Sequence, residues 1–332
     1  MYKERKNIYS NIEKFMDSRV ICYVTGDRQN LEIHIDQDVL EHFGDHLDKM
    51  GMTKRITLII HSRGGITLAG WSLVNLIRQF CDEFNIIIPS RAHSAATLIA
   101  LGAKSIMMTR QATLGPIDPN VNGPLNPQAP APNTSTRIPV SVESVKGYLD
   151  FAKSLGIKSE AEITRVVLDL ASKIHPAVLG NVFRSRSQIR MLGKQLLSTH
   201  IQEESKIEKI LDFLCSDCGS HDYTINRSEA RDELGLPIAI PDDAQNKIIR
   251  TLHKDYCSEL ELLNPFNPNL FLGDEPEKEY SFTRGVIESV RGGSTRFISQ
   301  GKLIRTKTPE EQPQNVQEPL EDRKTFEGWT NK

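Results

Sequence analysis

Short apolar, β-branched runs alternate along the chain with stretches whose apolar residues recur every three or four positions. The runs are 20–26 (VICYVTG), 56–62 (ITLIIHS), 85–90 (NIIIPS) and 105–109 (SIMMT). Their length and their Val and Ile content predict buried strands. Between the first two, Val39, Leu40, Phe43 and Leu47 fall on one face of a helix over 38–50. Helices are also expected over 66–83 and from Ser94 through SAATLIALGA. Strands alternating with helices in this way predict an α/β fold with a largely parallel sheet.

The alternation stops at 115–139, where GPIDPNVNGPLNPQAPAPNTSTRIP carries seven prolines. That composition predicts a long loop. From 140 to 215 the pattern is almost entirely helical, opened by a cap-like start at 141–144. A further helix is expected over 242–263, and 281–307 alternate weakly, as in a small β-meander. From 308 onward the chain is rich in Pro, Glu and Gln and poor in apolar residues, which predicts a disordered tail. The expected organisation is a main domain over 1–240 with the Pro-rich loop inserted, a helical and β extension over 241–307, and the tail over 308–332.

Composition narrows the function classes. Lys and Arg total 41 against 43 Asp and Glu, a net charge of -2. That balance argues against bulk electrostatic binding of nucleic acid. No run reaches the roughly 18 apolar residues of a membrane-spanning helix. The first residues, MYKERKNIYSNIEKF, lack the apolar centre of a secretory signal. The five cysteines are too scattered for a disulfide framework. A cytoplasmic protein with reduced thiols is expected.

Two strand ends combine small residues with candidate chemistry. At 61–65 a strand runs into Gly64 and Gly65, which open a helix. Glycine permits positive φ and close approach to backbone N–H groups, and such groups at a helix start can hold an anion or an oxyanion. A plain turn would look the same. Ser94 begins the helix after the third strand and is either an ordinary N-cap or a nucleophile on a strand-to-helix turn.

The pairing of IIHSRGG at 59–65 with RAHSAATLIALGAKSIMM at 91–108, followed by ATLGPIDP at 112–119, resembles the Clp-protease/crotonase superfamily. Within it the chain is most similar to the serine dehydrogenase proteinase family, whose relatives include signal peptide peptidase A and the NfeD-type Ser-Lys proteases. HDYTINRSEARDELGL at 221–236 also resembles a family segment. The resemblance covers about 18–240. It implies a core of repeated β-β-α units wound as a spiral, with Ser94 as nucleophile and the N–H groups of Gly65 and Ala95, in the Gly64–Gly65 turn and after it, holding the oxyanion.

The superfamily divides on the general base. Clp-type members carry a His about 25 residues after the Ser, where this chain has Pro116, Ile117, Asp118 and Pro119. The signal-peptide-peptidase branch uses a Lys on a following helix. Here that helix is 141–155, SVESVKGYLDFAKSL, with Lys146 and Lys153 on one face. The resemblance implies Lys153, with Lys146 as the alternative. Asp222 either orients the lysine or caps a turn, and His175 and His221 are the remaining candidates for a conventional triad. Three departures stand out: Ala96 where Gly is common, Arg63 where Pro is usual, and no membrane segments.

The resulting expectation is a serine endopeptidase with a Ser-Lys dyad and neither cofactor nor metal. It would act on unfolded or flexible peptides as a homo-oligomer, with any unfoldase or regulator as a separate partner. The alternative is a catalytically inactive scaffold or peptide-binding member of the same fold. Other constellations carry less. Cys215 and Cys218 with His221 lack a fourth zinc ligand. His42 and His46 share a helix face that is expected to be solvated. The basic residues of 284–307, and Arg184, Arg186, Arg190 and Lys194, are expected on solvated surfaces.

Overall fold

The computed structural model describes residues 2–117, 120–129, 136–218, 220, 222–306 and 320–331. They fall into two compact units, Met1–Leu114 with Asn226–Lys332, and Gly115–Ile225. The first unit begins with α1 (Tyr2–Met16), β1 (Arg19–Thr25), α2 (Val39–Met50), β2 (Thr53–His61) and α3 (Thr67–Arg78). It continues with β3 (Cys81–Ile88), β4 (Arg91–Ala92), α4 (Ala95–Leu101), β5 (Ser105–Met108) and β6 (Thr113–Leu114). The second unit holds β7 (Asn120–Val121), β8 (Val140–Ser141), α5 (Val142–Ser154), α6 (Glu160–Lys173), α7 (Pro176–Leu197) and α8 (Glu204–Asp212). The short β9 (Ile225–Asn226) stands at the boundary. The chain then resumes the first unit with β10 (Ile238–Ala239), α9 (Asp243–Glu259), α10 (Pro268–Leu272), β11 (Glu277–Ser289), β12 (Gly293–Arg305) and β13 (Leu320–Asn331).

One eight-stranded sheet runs β10-β5-β3-β2-β1-β11-β12-β13. Its strands are parallel from β10 to β1 and antiparallel from β1 onward. The parallel strands are buried on both faces, which is why they appear as unbroken apolar runs. On one face Val20, Cys22 and Val24 pack with Tyr9 and Ile12 of α1 and with Ile249, Leu252 and Tyr256 of α9. On the other face Tyr23 meets Phe43 of α2 edge-on, with ring centroids 5.4 Å apart. The period of two along β1 thus serves two helix layers at once.

Each long parallel strand is followed by a short extended stretch that pairs in a second ladder. Gly65 bridges to Ile35, Ser62 bridges to Ala92, and β4 pairs with β6. Strand, short strand, helix, and then the same again one step along, is the repeated β-β-α spiral that the sequence led us to expect.

The C-terminal region departs from expectation. Residues 320–331, assigned to a disordered tail by composition, form β13 and pair with β12 from Leu320↔Arg305 to Asn331↔Thr295. Backbone pairing does not depend on composition, and one side chain anchors the strand: Trp329 packs on Phe297 and Tyr23. Residues 308–319 of the expected tail lie outside the described residues. Nor does a boundary fall near 240, because β11 pairs directly with β1. His46 is a second correction. It is buried, and its ring nitrogens meet Ser289 Oγ at 2.8 Å and Thr295 Oγ1 at 3.1 Å. The β11–β12 hairpin covers the helix face that was expected to be solvated.

Helix α1 buries Tyr9 and Ile12, and its inner face also carries Arg5. This guanidinium is fully buried and makes a fork to Glu288, also fully buried, through Nε at 2.8 Å and Nη2 at 2.7 Å. Nη1 reaches Glu259 and Asp255 of α9. Tyr9 Oη donates to Glu288 at 2.6 Å, and Tyr256 Oη reaches Cys22 Sγ.

The second unit is built round Val121, Val140, Val142, Val178 and Val182. Ser141 caps α5 by accepting from Ser144 N–H. Arg190 and Lys194 of α7 pair with Glu204, Glu208 and Asp212 of α8. Among the described residues no single helix is long and apolar enough to cross a membrane; α6 and α7, bent by 109°, meet that test only when taken together.

Removing one partner of a buried ion pair strands the other charge, which costs about 3–5 kcal/mol. Glu288→Ala is expected to lower unfolding free energy by that order in urea titrations. Truncation after residue 306, which removes β13, is expected to lower the urea midpoint as well.

Candidate active site

His93 and Ser94 are the two residues between β4 and α4, and Ser94 stands directly before the helix. Strand β4 is fixed by β6 on one side and by Ser62 on the other, while every residue of α4 is buried. The chain must therefore turn within two residues, and Ser94 takes φ 53°, ψ −118°. A non-glycine residue at such positive φ is strained. Its side chain makes no cap hydrogen bond. An ordinary N-cap serine has extended φ/ψ and accepts a backbone N–H, so Ser94 is not serving as a cap.

The 62–65 turn passes directly against it. A Cβ on Gly64 would stand 2.7 Å from Ser94 Cβ and 2.7 Å from His93 O, and Gly64 has φ 108°. A Cβ on Gly65 would stand 2.2 Å from Ile35 O. Both glycines are there because nothing larger fits.

The turn is held by its own hydrogen bonds. Ile35 N–H donates to Gly64 O, and Ile66 N–H donates to Ile35 O, both at 2.8 Å. Thr25 and Gly64 N–H both donate to Ser62 Oγ. Gly64 N–H is therefore committed inside the turn. The bridge to Ile35 uses the groups flanking Gly65, so Gly65 N–H points away from it. Ala95 N–H lies in the first turn of α4, where a helix supplies no acceptor. Two backbone donors and one strained hydroxyl thus sit at adjoining turns. That arrangement suits attack on a carbonyl carbon with charge building on its oxygen.

A polar cluster lies at the same carboxyl ends of the strands. Asp27, just after β1, accepts from His61 Nε2 at 3.2 Å. Its other oxygen lies 2.9 Å from Arg91 Nη1 and 3.6 Å from Arg63 Nε. Burial alone would raise the Asp27 carboxyl, but the His61 hydrogen bond and charge, with Arg91 and Arg63, hold it at about 2. His61 lies over His253, with ring centroids 5.3 Å apart. His93 Nε2 meets Thr113 Oγ1 at 2.9 Å. Burial, then Arg91, lowers His93 to about 4; burial, then His61, does the same for His253. Sequence reasoning missed Asp27, His61, His93 and His253 as a group. The available signal was positional, since each parallel strand of such a sheet offers its carboxyl end to a site.

The other residues singled out from sequence lie as follows. Lys153 and Lys146 are on α5 in the second unit, whereas Ser94 is in the first. Lys153 Nζ stands 3.7 Å from the Asp150 carboxylate one turn back, and its side chain is 58% exposed. Asp222 is exposed, and its N–H donates to Ser220 Oγ. His175 caps α7 by accepting from Ala177 N–H. His221 lies outside the described residues. Cys215 is buried, and Cys218 Sγ meets Phe213 O. Among the described residues no group of three or more His, Cys, Asp or Glu is placed to hold a metal. In the basic 284–307 stretch, Arg284 pairs with Glu327, Arg296 with Glu259, and Lys302 with Glu277.

Residues 2–135 match the family model described as ClpP-like SDH-type serine proteinase. Two proteins of Methanocaldococcus jannaschii are similar. Uncharacterized protein MJ0137 is 31% identical over 185 residues, 56% of this chain and 54% of that protein. Uncharacterized protein MJ1495 is 27% identical over 183 residues, 55% of this chain and 51% of that protein. The chain thus spans about half the length of these relatives. Among solved structures, ClpP1 from Listeria monocytogenes aligns with 71% of this chain and 99% of its own, at 17% identity and a TM-score of 0.35. A point mutant of the same protein aligns at 15% identity and a TM-score of 0.37, covering 71% and 98%.

Two outcomes are expected. Gly64→Ala must displace Ser94 or the turn, and strain of this kind costs about 1–3 kcal/mol; the melting temperature should fall and Ser94 should lose reactivity toward electrophilic probes. The second concerns pH. His46, like His93 and His253, is lowered to about 4, in its case by burial and then Lys49. Below the usual histidine value of about 6.5 the unfolded chain binds protons that the folded one refuses. Stability should therefore fall as pH drops from about 6.5 toward 4, by up to about 1.4 kcal/mol per pH unit for each histidine. The Asp27 contribution persists down to lower pH and is lost as pH falls through about 2. Urea unfolding between pH 7 and pH 4, with His46→Gln giving a shallower dependence, checks the assignment.

Proposed function

We propose that this protein is a serine peptidase in which Ser94 is the nucleophile and Lys153 the general base. The observation that carries the reading is Ser94 itself, strained, uncapped and pressed against a glycine turn. The match of residues 2–135 to a serine proteinase family supports it. In this mechanism Ser94 Oγ attacks the peptide carbonyl while its proton passes to Lys153 Nζ. The oxyanion accepts from Gly65 and Ala95 N–H. Lys153 then protonates the leaving amine, and water hydrolyses the acyl-enzyme.

The base must be neutral to act. A solvated lysine is neutral in only about one molecule in 2,500 at pH 7. On its own helix the Lys153 side chain is open to solvent, with Nζ 3.7 Å from the Asp150 carboxylate. The mechanism therefore requires α5 to be covered in the active species, and assembly of several copies is our proposed means. Lys146, half-buried on the same helix, is the alternative base. The substrates proposed are flexible or unfolded peptides, delivered where necessary by a separate unfoldase. The exposure of Lys153 also favours a second reading, a peptide-binding scaffold that retains the fold without turnover.

Labelling with a fluorophosphonate probe, followed by mass mapping, decides between them. On the peptidase reading the label falls on Ser94, is absent from Ser94→Ala, and slows by about 10²–10⁴-fold in Lys153→Ala. The same loss in Lys146→Ala instead would move the base. No label on folded protein between pH 7 and 9 would favour the scaffold.

A further inference from the structure

We propose that Arg63 and Arg91 select substrates carrying a side-chain carboxylate next to the bond that Ser94 attacks. This rests on the reading of Ser94 as the nucleophile and adds a substrate class to it. Arg63 immediately precedes the glycine pair, and Arg91 lies three residues before Ser94. The two segments run side by side: Ser62 N–H donates to Arg91 O, and His93 N–H donates to Ser62 O, each at 3.1 Å. Both guanidinium groups turn toward the same oxygen of Asp27.

One carboxylate cannot neutralise two permanent cations. Asp27 is 8% exposed, whereas Arg91 is 36% and Arg63 53% exposed. The anion lies underneath and the cations open to solvent, so the surface beside Ser94 carries excess positive charge. His93 and His253 are neutral at pH 7 and leave that excess unchanged.

Arg63 is not needed to satisfy Asp27. His61 and Arg91 already occupy both carboxylate oxygens, and 3.6 Å is beyond hydrogen-bond range. Among the described residues no partner is recorded for Arg63 Nη1 or Nη2, and Arg91 contacts Asp27 through one Nη only. Donors in this fork geometry match a carboxylate. The turn itself requires glycine at 64 and 65 but places no demand for charge at 63.

The test digests a broad mixture of unstructured peptides and identifies cleavage sites by mass spectrometry, comparing the frequency of Glu and Asp with that of Gln and Asn at each flanking position. Wild type should favour the acid over its amide at one flanking position by about tenfold, the scale of a hydrogen bond to a charged group. The ratio should fall to about twofold in Arg63→Gln and in Arg91→Gln, and in wild type at high salt. Arg63→Lys, which keeps the charge, should retain most of it. Because the readout is a ratio within each variant, a general loss of activity does not mimic the result. Cleavage without acidic preference, or a preference unchanged in both Gln variants, overturns the proposal. If wild type neither cleaves nor labels at Ser94 with a neutral fluorophosphonate, the peptidase reading itself has failed and this proposal falls with it.

Discussion

The pairing of Arg5 with Glu288 joins the two ends of the first unit inside its core. Both side chains are fully buried, beside a layer rich in Val, Ile, Leu and Tyr. A charge in such surroundings is tolerable only with a partner and with its remaining hydrogen bonds satisfied. The partners here come from α1, α9 and β11, and Tyr9 and Ser294 also donate to Glu288. None of these elements can be docked alone without leaving a buried charge exposed to an apolar interior. The pair therefore makes the N-terminal helix and the C-terminal hairpin obligatory parts of the same core.

That sheet in turn sets the site. Strand β11 closes the open edge of β1, and β1 to β5 present their carboxyl ends together. Because the strands are fixed in register and α4 is sunk in the interior, the strain of the connection concentrates at Ser94. The Asp27 cluster sits on the same edge and ties the segment after β1 to the 62–65 turn and to β4. Rigidity in the core is thus expressed as geometry at the surface.

The parts legible in the sequence were those governed by short-range pattern. The buried parallel strands showed as apolar runs, and the glycine pair showed its turn. Ser141 showed its cap, and the motifs around Gly64 and Ser94 carried the family resemblance. The parts that were not legible depend on distant partners. His46 looks solvated until β11 and β12 are laid over it, and Arg5 shows no partner until Glu288, far along the chain, is placed opposite it. Strand β13 is polar along most of its length and owes its order to a backbone ladder and one tryptophan. Asp27, His61 and His253 are separated by up to 226 positions in the chain, so no local window joins them.

The insertion of the second unit bears on how the chain folds. The first unit breaks off at Leu114 and resumes at Asn226, and β10 must return to pair with β5, laid down before the break. Left as an unstructured loop of this length, the insertion would impose a closure entropy of about 4 kcal/mol by the logarithmic scaling of loop length. The second unit shortens that loop internally, since Ile117 N–H donates to Leu214 O at 2.8 Å and draws its two arms together. Folding of the insertion ahead of its host would convert a slow long-range search into a nearly local one. The polypeptide's middle would then be the first part to acquire its final form, although it is the last to be needed by the sheet.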